Sequence, residues 1–157
     1  MNAGRLLFVI DACNSGQALE AEEKRRGPMN SRGLAQLAYE KGMYVLTAAQ
    51  SYQAAQEVSE LGHGLLTYAL ITEGLDSGSA DVEPKDGRVV AREWLDYATG
   101  RVPRLQLEKI AEARQAGRTL QFRTASRGDL PDDATQHPRV FYRRELDDAI
   151  WLIARPR

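Results

Sequence analysis

An unbroken run of five apolar residues, Leu6 to Ile10, constrains the fold of this chain more than any other feature. The run is too short for a helix of ordinary length, and it stops at an acid, Asp11, that leads into small and polar residues. A continuous apolar run bounded by turn residues is typical of a strand buried in a parallel sheet. We therefore predict a strand over residues 5–11 that ends in an exposed turn.

The rest of the chain alternates between strand and helix patterns, which predicts an α/β fold with a largely parallel sheet in one domain spanning residues 1–157. Residues 14–31, 76–87 and 118–138 are polar or rich in turn residues and are predicted to be loops. Pro103 is predicted to start a new helix. The predicted strands are 5–11, 43–49 and 149–155, and the predicted helices are 31–42, 53–61, 63–75, 90–100 and 103–117.

Composition excludes several classes of function. The net charge is −1, so no strong basic field draws the protein to nucleic acid. There is one cysteine and two histidines, so the sequence predicts neither an internal disulfide nor a metal site, and we expect no cofactor. No apolar stretch approaches the ~20 residues that cross a membrane, and the first apolar run is too short for a signal peptide. We expect a cytoplasmic protein with no membrane partner.

One segment, residues 81–93, has a partial calcium-loop spacing. Gly87 and Glu93 stand at suitable positions, but Val82 and Pro84 occupy positions that need oxygen ligands. We interpret the segment as a turn that leads into a helix.

The lone cysteine, Cys13, lies where the first strand gives way to a turn, which is where sites occur in α/β sheets. A free cysteine is more often a buried small residue. Asp11, two residues earlier, opposes thiolate formation, so it is better suited to binding a cation than to activating the thiol. A redox-sensing thiol is a weaker alternative, because no second cysteine is present to resolve it.

The hexapeptide "DACNSG" (11–16) resembles the nucleophile motif Asp-Ala-Cys-His-Ser-Gly of the caspase-like cysteine peptidases, which include metacaspases, paracaspases and bacterial relatives. Asn14 departs from the usual residue. Further segments resemble, in order, the family's next strand and substrate-pocket loop, its long helix, the segment after that helix, and its closing strand. These segments are "YVLTAAQSYQAAQEV", "GHGLLTYALITEGL", "ADVEPKDGRVVAREWLDYA" and "TQHPRVFYRRELDDAIWLIAR". The likeness extends from residue 4 to about residue 155.

The resemblance implies a three-layer caspase-like fold and peptide-bond cleavage by a Cys–His dyad. Cys13 would be the nucleophile and would also supply a backbone N–H to the oxyanion. The histidine of the dyad is expected about 50 residues before the cysteine, whereas twelve residues precede Cys13. Neither His63 nor His137 matches the catalytic position. We therefore expect a carboxyl-terminal portion of the catalytic domain, without the amino-terminal strands and inactive by itself. A non-catalytic interaction module is the alternative.

The resemblance also implies a substrate: a polypeptide with arginine or lysine at the residue before the cleaved bond. Asp11 matches one of the acids that bind this arginine or lysine in the family, while Ser51 and Tyr52 stand where many relatives carry a second acid. A basic stretch in the loop after the nucleophile is a candidate autoprocessing point, although a solvated charge run is the more ordinary interpretation. Its residues are Lys24, Arg25 and Arg26.

In the family's sheet, the cysteine strand lies between the histidine strand and the strand that matches 43–49. Without the histidine strand, strand 5–11 has an uncovered apolar edge. Such an edge favours pairing with another chain or with the amino-terminal half of the domain.

Overall fold

The apolar run near the start of the chain forms a strand, β1 (Leu7–Ile10), which pairs in parallel with β2 (Tyr44–Thr47). The predicted strands 5–11 and 43–49 are thus confirmed as neighbours, but the expected burial of the first is wrong, because Phe8 and Val9 are exposed. The computed structural model describes residues 6–11, 31–48, 57–58, 63–117, 135–143 and 151–156. Over these residues the protein is α/β.

β2 is the central strand of a three-stranded sheet. β6 (Arg139–Phe141) pairs antiparallel on its other side, so the strand order is β1-β2-β6. All four residues of β2 are buried, which explains why the segment is apolar without alternation. Tyr44 and Leu46 belong to one core cluster and Val45 to another, as expected when successive side chains point to opposite faces.

Helices cover the two faces of β2. On one face lies α1 (Ser31–Lys41), whose Leu34 and Ala38 pack with Val45. Gly42, with a φ of 61°, ends this helix in the left-handed conformation that glycine adopts readily. The opposite face is covered by α2 (Leu65–Tyr68), its π-helical continuation (Ala69–Asp76) and α3 (Ala91–Gln115). The side chains that fill this larger core include Leu46, Leu65, Leu66, Leu95, Val102 and Leu105.

The π-helical segment packs closely against α3. Trp94 of α3 donates its indole N–H to the carbonyl oxygen of Leu70 at 2.8 Å in a buried position. A β-carbon on Gly74 would lie 3.2 Å from the indole nitrogen and 2.9 Å from the carbonyl oxygen of Ala69. The backbone carbonyl of Ala69, together with the close approach of the indole, therefore requires glycine at position 74.

The helix α3 runs through Pro103 without a break, so the predicted division into helices 90–100 and 103–117 is wrong. Proline inside a helix loses one hydrogen bond and usually kinks or breaks it. Here Val102 and Leu105, on either side of the proline, are almost fully buried. They continue the apolar face that Trp94, Leu95 and Ala98 begin, and this burial outweighs the local preference.

Two further predictions are corrected. Residues 57–58, predicted to be helical within 53–61, form β3 (Glu57–Val58), which pairs antiparallel with β4 (His63–Gly64). The helix predicted from residue 63 consequently begins at Leu65. Residues 53–61 have a composition typical of a helix. Residues 57–58 nevertheless form a strand, because they pair with β4, which lies outside that segment.

The sheet is also less parallel than predicted. β5 (Val89–Val90) pairs antiparallel with β7 (Leu152–Ala154), so of the four strand pairings in the described residues one is parallel. The segment that resembles a single closing strand, 135–155, contributes β6 and β7 to two different sheets. Across the described ranges, no helix is both long enough and apolar enough to cross a membrane.

Candidate functional site

Asp11 lies directly after β1, at the carboxyl end of a strand that pairs in parallel with the central strand, and it is exposed. Its Oδ2 accepts a hydrogen bond from the hydroxyl group of Thr67, in the first turn of α2. A β-carbon on Gly64 would lie 3.2 Å from Oδ2 and 3.3 Å from Oδ1 of Asp11, so the carboxylate packs against the backbone at Gly64. Asp11 is therefore both accessible and held in place.

The other predicted site residues fall outside the described ranges. These are the nucleophile Cys13, the pocket residues Ser51 and Tyr52, and the basic residues Lys24, Arg25 and Arg26. Both histidines are within the described ranges: His63 in β4, and His137 exposed in the segment before β6. Their assignment as non-catalytic stays a prediction.

Sequence reasoning did not single out Thr67 or Gly64. The hydroxyl of Thr67 and the carboxylate of Asp11 are 56 positions apart in the chain. The available signal was weak: a threonine and a glycine at the start of an otherwise apolar helix. A serine, threonine or glycine at a helix start is ordinarily explained by capping, so nothing in the sequence pairs either residue with Asp11.

The carboxyl end of β2, which leads into the predicted pocket loop, is fixed by a buried glutamine. Gln136 donates its side-chain N–H to the carbonyl oxygen of Ala48 at 2.6 Å. Its backbone N–H donates at 2.6 Å to the side-chain oxygen of Gln106, which is buried in α3. Because buried polar groups need partners, these two bonds fix residues 135–138 between α3 and the end of β2.

A second polar cluster joins the π-helix to α3. Arg101 binds Glu73 through Nε at 2.6 Å and Nη2 at 2.9 Å, and it binds Glu108 through Nη1 at 2.8 Å and Nη2 at 2.7 Å. The side chains of Arg101 and Glu73 are each 20% exposed. Tyr97 donates to Glu73 at 3.4 Å. Paired bonds of this geometry are strong and directional, so the cluster ties the two helices together.

The charges of this cluster shift the pKa values of its members. The hydrogen bonds that Arg101 donates to Glu108 and then to Glu73 raise the pKa of Arg101, and the hydrogen bond accepted from Arg101 lowers the pKa of Glu108. Burial, followed by the negative charge of Glu73, raises the pKa of Tyr97. An open cleft of about 720 Å³ lies beside the cluster, lined in part by Tyr97, Arg101 and Arg104. Asp11, the predicted site residue that lies within the described ranges, does not line it.

Replacing Glu108 with glutamine is expected to weaken the pH dependence of stability in acid. The pKa of Glu108 is lowered in the folded protein, so its contribution is present above the unfolded-state pKa of about 4.3 and is lost as the pH falls through the folded-state value. Urea midpoints at about pH 7 and about pH 3 measure this loss. Glu112→Gln, in the same helix and paired with Lys109, is the control. If the urea midpoint falls equally between these two pH values in the wild type and in Glu108→Gln, the expectation is wrong.

The segment 81–93 forms the predicted turn into a helix. Asp81 accepts backbone N–H bonds from Asp86 at 3.2 Å and Gly87 at 2.9 Å, and Glu93 accepts from Val82 and from Glu83, the latter at 2.9 Å. These carboxylates are thus engaged in holding the loop. Among the described residues, no group of three or more histidine, cysteine, aspartate or glutamate side chains is placed to hold a metal ion.

Comparison with known proteins assigns no relative to this chain. Searches against protein-family models, curated proteins and solved structures found no match. The assignment of a function therefore depends on the residues themselves.

Proposed function

We propose that this chain is part of a three-layer caspase-like cysteine endopeptidase, with Cys13 as the nucleophile. The observation that carries the proposal is the position of Asp11: exposed, at the carboxyl end of β1, and two residues before the only cysteine. The order of the four motif segments along the chain adds support. So does the parallel pairing of β1, which ends three positions before Cys13 in the sequence, with a strand covered on both faces.

The proposed reaction is acyl transfer. The sulfur of Cys13 attacks the carbonyl carbon of the scissile peptide bond while an imidazole takes the thiol proton. The backbone N–H of Cys13 is one donor to the oxyanion. The imidazole then protonates the amine, which leaves, and water hydrolyses the thioester to release the acid and restore the thiol. No cofactor or metal enters this scheme, and the setting we propose is the reducing cytoplasm.

The general base is proposed to come from a histidine outside these 157 residues. The chain contains two histidines, and neither stands in a context that resembles the family's catalytic position. The DNA upstream of the codon for Met1 tests this directly. We expect it to encode, in the same reading frame, a β-strand that ends in His-Gly about 50 residues before Cys13. We also expect the 157-residue chain by itself not to hydrolyse an arginine-containing reporter. If this chain alone hydrolyses the reporter and Cys13→Ala abolishes that hydrolysis, the proposal that the general base lies outside these residues is wrong.

The substrate we propose is a polypeptide with arginine or lysine before the cleaved bond. Asp11 supplies an exposed carboxylate two residues before Cys13 in the sequence, and a carboxylate binds a guanidinium group through paired hydrogen bonds. Ser51 and Tyr52 are proposed to complete the pocket. Cleavage of the chain's own basic stretch, Lys24 to Arg26, would follow from the same preference, and mass spectrometry of an active form would detect it.

The outer edge of β1 is the proposed contact for the amino-terminal half of the domain or for another chain. The carbonyl oxygens of Leu6 and Ile10 accept hydrogen bonds from the β2 side. Because backbone groups alternate along a strand, those of Leu7 and Val9 point away from β2. The described residues place no strand on that side, and Phe8 is 45% exposed. An open apolar edge of this kind favours strand pairing.

Replacing Phe8 with lysine is expected to reduce self-association of the isolated chain, because charged residues block edge-to-edge pairing. Sedimentation velocity over a range of concentrations measures the effect. Ile71→Lys is the matched control, since Ile71 is 44% exposed but lies on the π-helix. If the wild-type chain is monomeric and unfolds cooperatively, the proposal that the edge of β1 is unpaired is wrong. The same holds if Phe8→Lys and Ile71→Lys change self-association equally.

A non-catalytic interaction module is the second candidate, and the exposed edge of β1 is the observation that favours it. In that case Cys13→Ala would leave partner binding unchanged, and no peptide would be cleaved even with the histidine-bearing segment supplied. The endopeptidase proposal requires the opposite: Cys13→Ala abolishes cleavage under those conditions.

A further inference from the structure

Thr67 makes a contact that neither the fold nor the proposed chemistry accounts for by itself. It lies in the first turn of α2 and donates its hydroxyl hydrogen to Oδ2 of Asp11, an exposed carboxylate. A surface carboxylate without such a partner is free to rotate about its side-chain bonds. The hydroxyl of Thr67 fixes one oxygen, and the backbone at Gly64 limits movement on another side of the group.

The second oxygen of Asp11 is left available. A carboxylate has about four lone-pair sites, and Thr67 uses one of them. The described residues supply no donor to Oδ1. Asp11 can therefore accept paired hydrogen bonds from a guanidinium group while Thr67 holds its orientation.

We propose that Thr67 is a positioning residue, which orients the Asp11 carboxylate toward the basic side chain of a peptide substrate. This inference rests on the proposed function, in which Asp11 receives that side chain. Thr67 does not touch the substrate in this scheme. It acts through Asp11, and it contributes to specificity because a fixed carboxylate loses less conformational freedom when a cation binds.

The test uses the reactivity of Cys13 toward two peptide chloromethyl ketones, one ending in arginine and the other in citrulline, its neutral analogue. The thiolate sulfur displaces chloride to form a thioether, and the thiol proton passes to the buffer, so the measurement needs no general base from the protein. Rates come from intact-mass spectrometry at about pH 8, where a cysteine is partly ionised.

Thr67→Val removes the hydroxyl and nearly keeps the shape, and Thr67→Ser keeps the hydroxyl. We expect the ratio of the arginine rate to the citrulline rate to fall about tenfold in Thr67→Val, as for loss of one hydrogen bond to a charged group. The ratio should return to within about twofold of wild type in Thr67→Ser. The rate with iodoacetamide, which has no side chain to recognise, should be the same in all three proteins.

Gly64→Ala provides a second variant that leaves Thr67 in place. Its new methyl group would meet both oxygens of Asp11 at 3.2–3.3 Å, so the carboxylate must shift by a few tenths of an ångström. The arginine preference should fall in this variant too, with the citrulline rate unchanged. If Thr67→Val does not fold, the result with Gly64→Ala decides.

Several outcomes would overturn the proposal. One is an unchanged ratio of the arginine rate to the citrulline rate in Thr67→Val or Gly64→Ala. Another is an equal fall in the arginine and citrulline rates, which indicates a purely structural role. A wild-type protein that reacts equally with both reagents overturns the role of Asp11 and of Thr67 together. By contrast, a strong arginine preference that depends on Thr67, without peptide cleavage when the histidine-bearing segment is supplied, supports this inference and rejects the endopeptidase.

Discussion

Asp11→Asn is expected to lower the rate at which the arginine chloromethyl ketone alkylates Cys13 by about 30-fold, the low end of the effect of removing one member of a desolvated charge pair. Asparagine keeps the size of the side chain and an acceptor for the Thr67 hydroxyl, but it has no charge for a guanidinium group. The rate with the citrulline reagent should not fall, because loss of the negative charge at Asp11 favours the Cys13 thiolate. The low end applies because Asp11 is exposed, and water screens part of the attraction.

Asp76→Asn is the control for this experiment. It removes the same charge from another exposed aspartate, at the end of the π-helix. We expect its two rates to match those of wild type. A similar fall in both variants would mean that the net charge of the protein governs the reaction. An unchanged rate in Asp11→Asn would show that Asp11 does not bind the substrate cation.

Arg101→Met is expected to lower the free energy of unfolding by about 2 kcal/mol. Breaking a fully buried ion pair costs about 3–5 kcal/mol and an exposed one about 0–1 kcal/mol. Arg101 and Glu73 are each 20% exposed, so an intermediate value applies. The loss arises because Glu73 keeps its charge in a half-buried position beside Tyr97 without the cation that balances it. Urea denaturation measures the change through the midpoint and slope of the transition.

Two companion variants separate this effect from general damage to α3. Lys109→Met removes an exposed pair with Glu112 and should cost less than about 0.5 kcal/mol. Changing Glu73 as well, in Arg101→Met with Glu73→Met, should recover about half of the lost stability or more, because no uncompensated charge remains at the partly buried position 73, while Glu108 is largely exposed. Equal losses in Arg101→Met and Lys109→Met would contradict a stabilising role for the cluster.

Local patterns predicted the parts of the fold that depend on local burial. The apolar run that became β2 could be recognised because a strand buried on both faces needs apolar residues throughout, and the run that became β1 predicted a strand although its Phe8 and Val9 are exposed. The helix α1 also followed from its start and stop residues. These elements place Asp11 at the end of a strand, which is why this part of the candidate site could be predicted from the sequence.

Features that depend on distant residues were not predictable in the same way. Pro103 is a helix breaker by local rules, yet burial of Val102 and Leu105 against other elements keeps α3 continuous. The strand β3 exists because β4 pairs with it. The contact between Thr67 and Asp11 joins the start of one helix to the end of a distant strand, and neither residue alone indicates the other.

The most direct test of a substrate-directed nucleophile at Cys13 is the ratio of its alkylation rates with the arginine and citrulline chloromethyl ketones in the wild-type chain. We expect a ratio of about 30, with the adduct on Cys13 and none in Cys13→Ala. Equal rates for the two reagents, or an adduct that persists in Cys13→Ala, would contradict the proposed function of this chain.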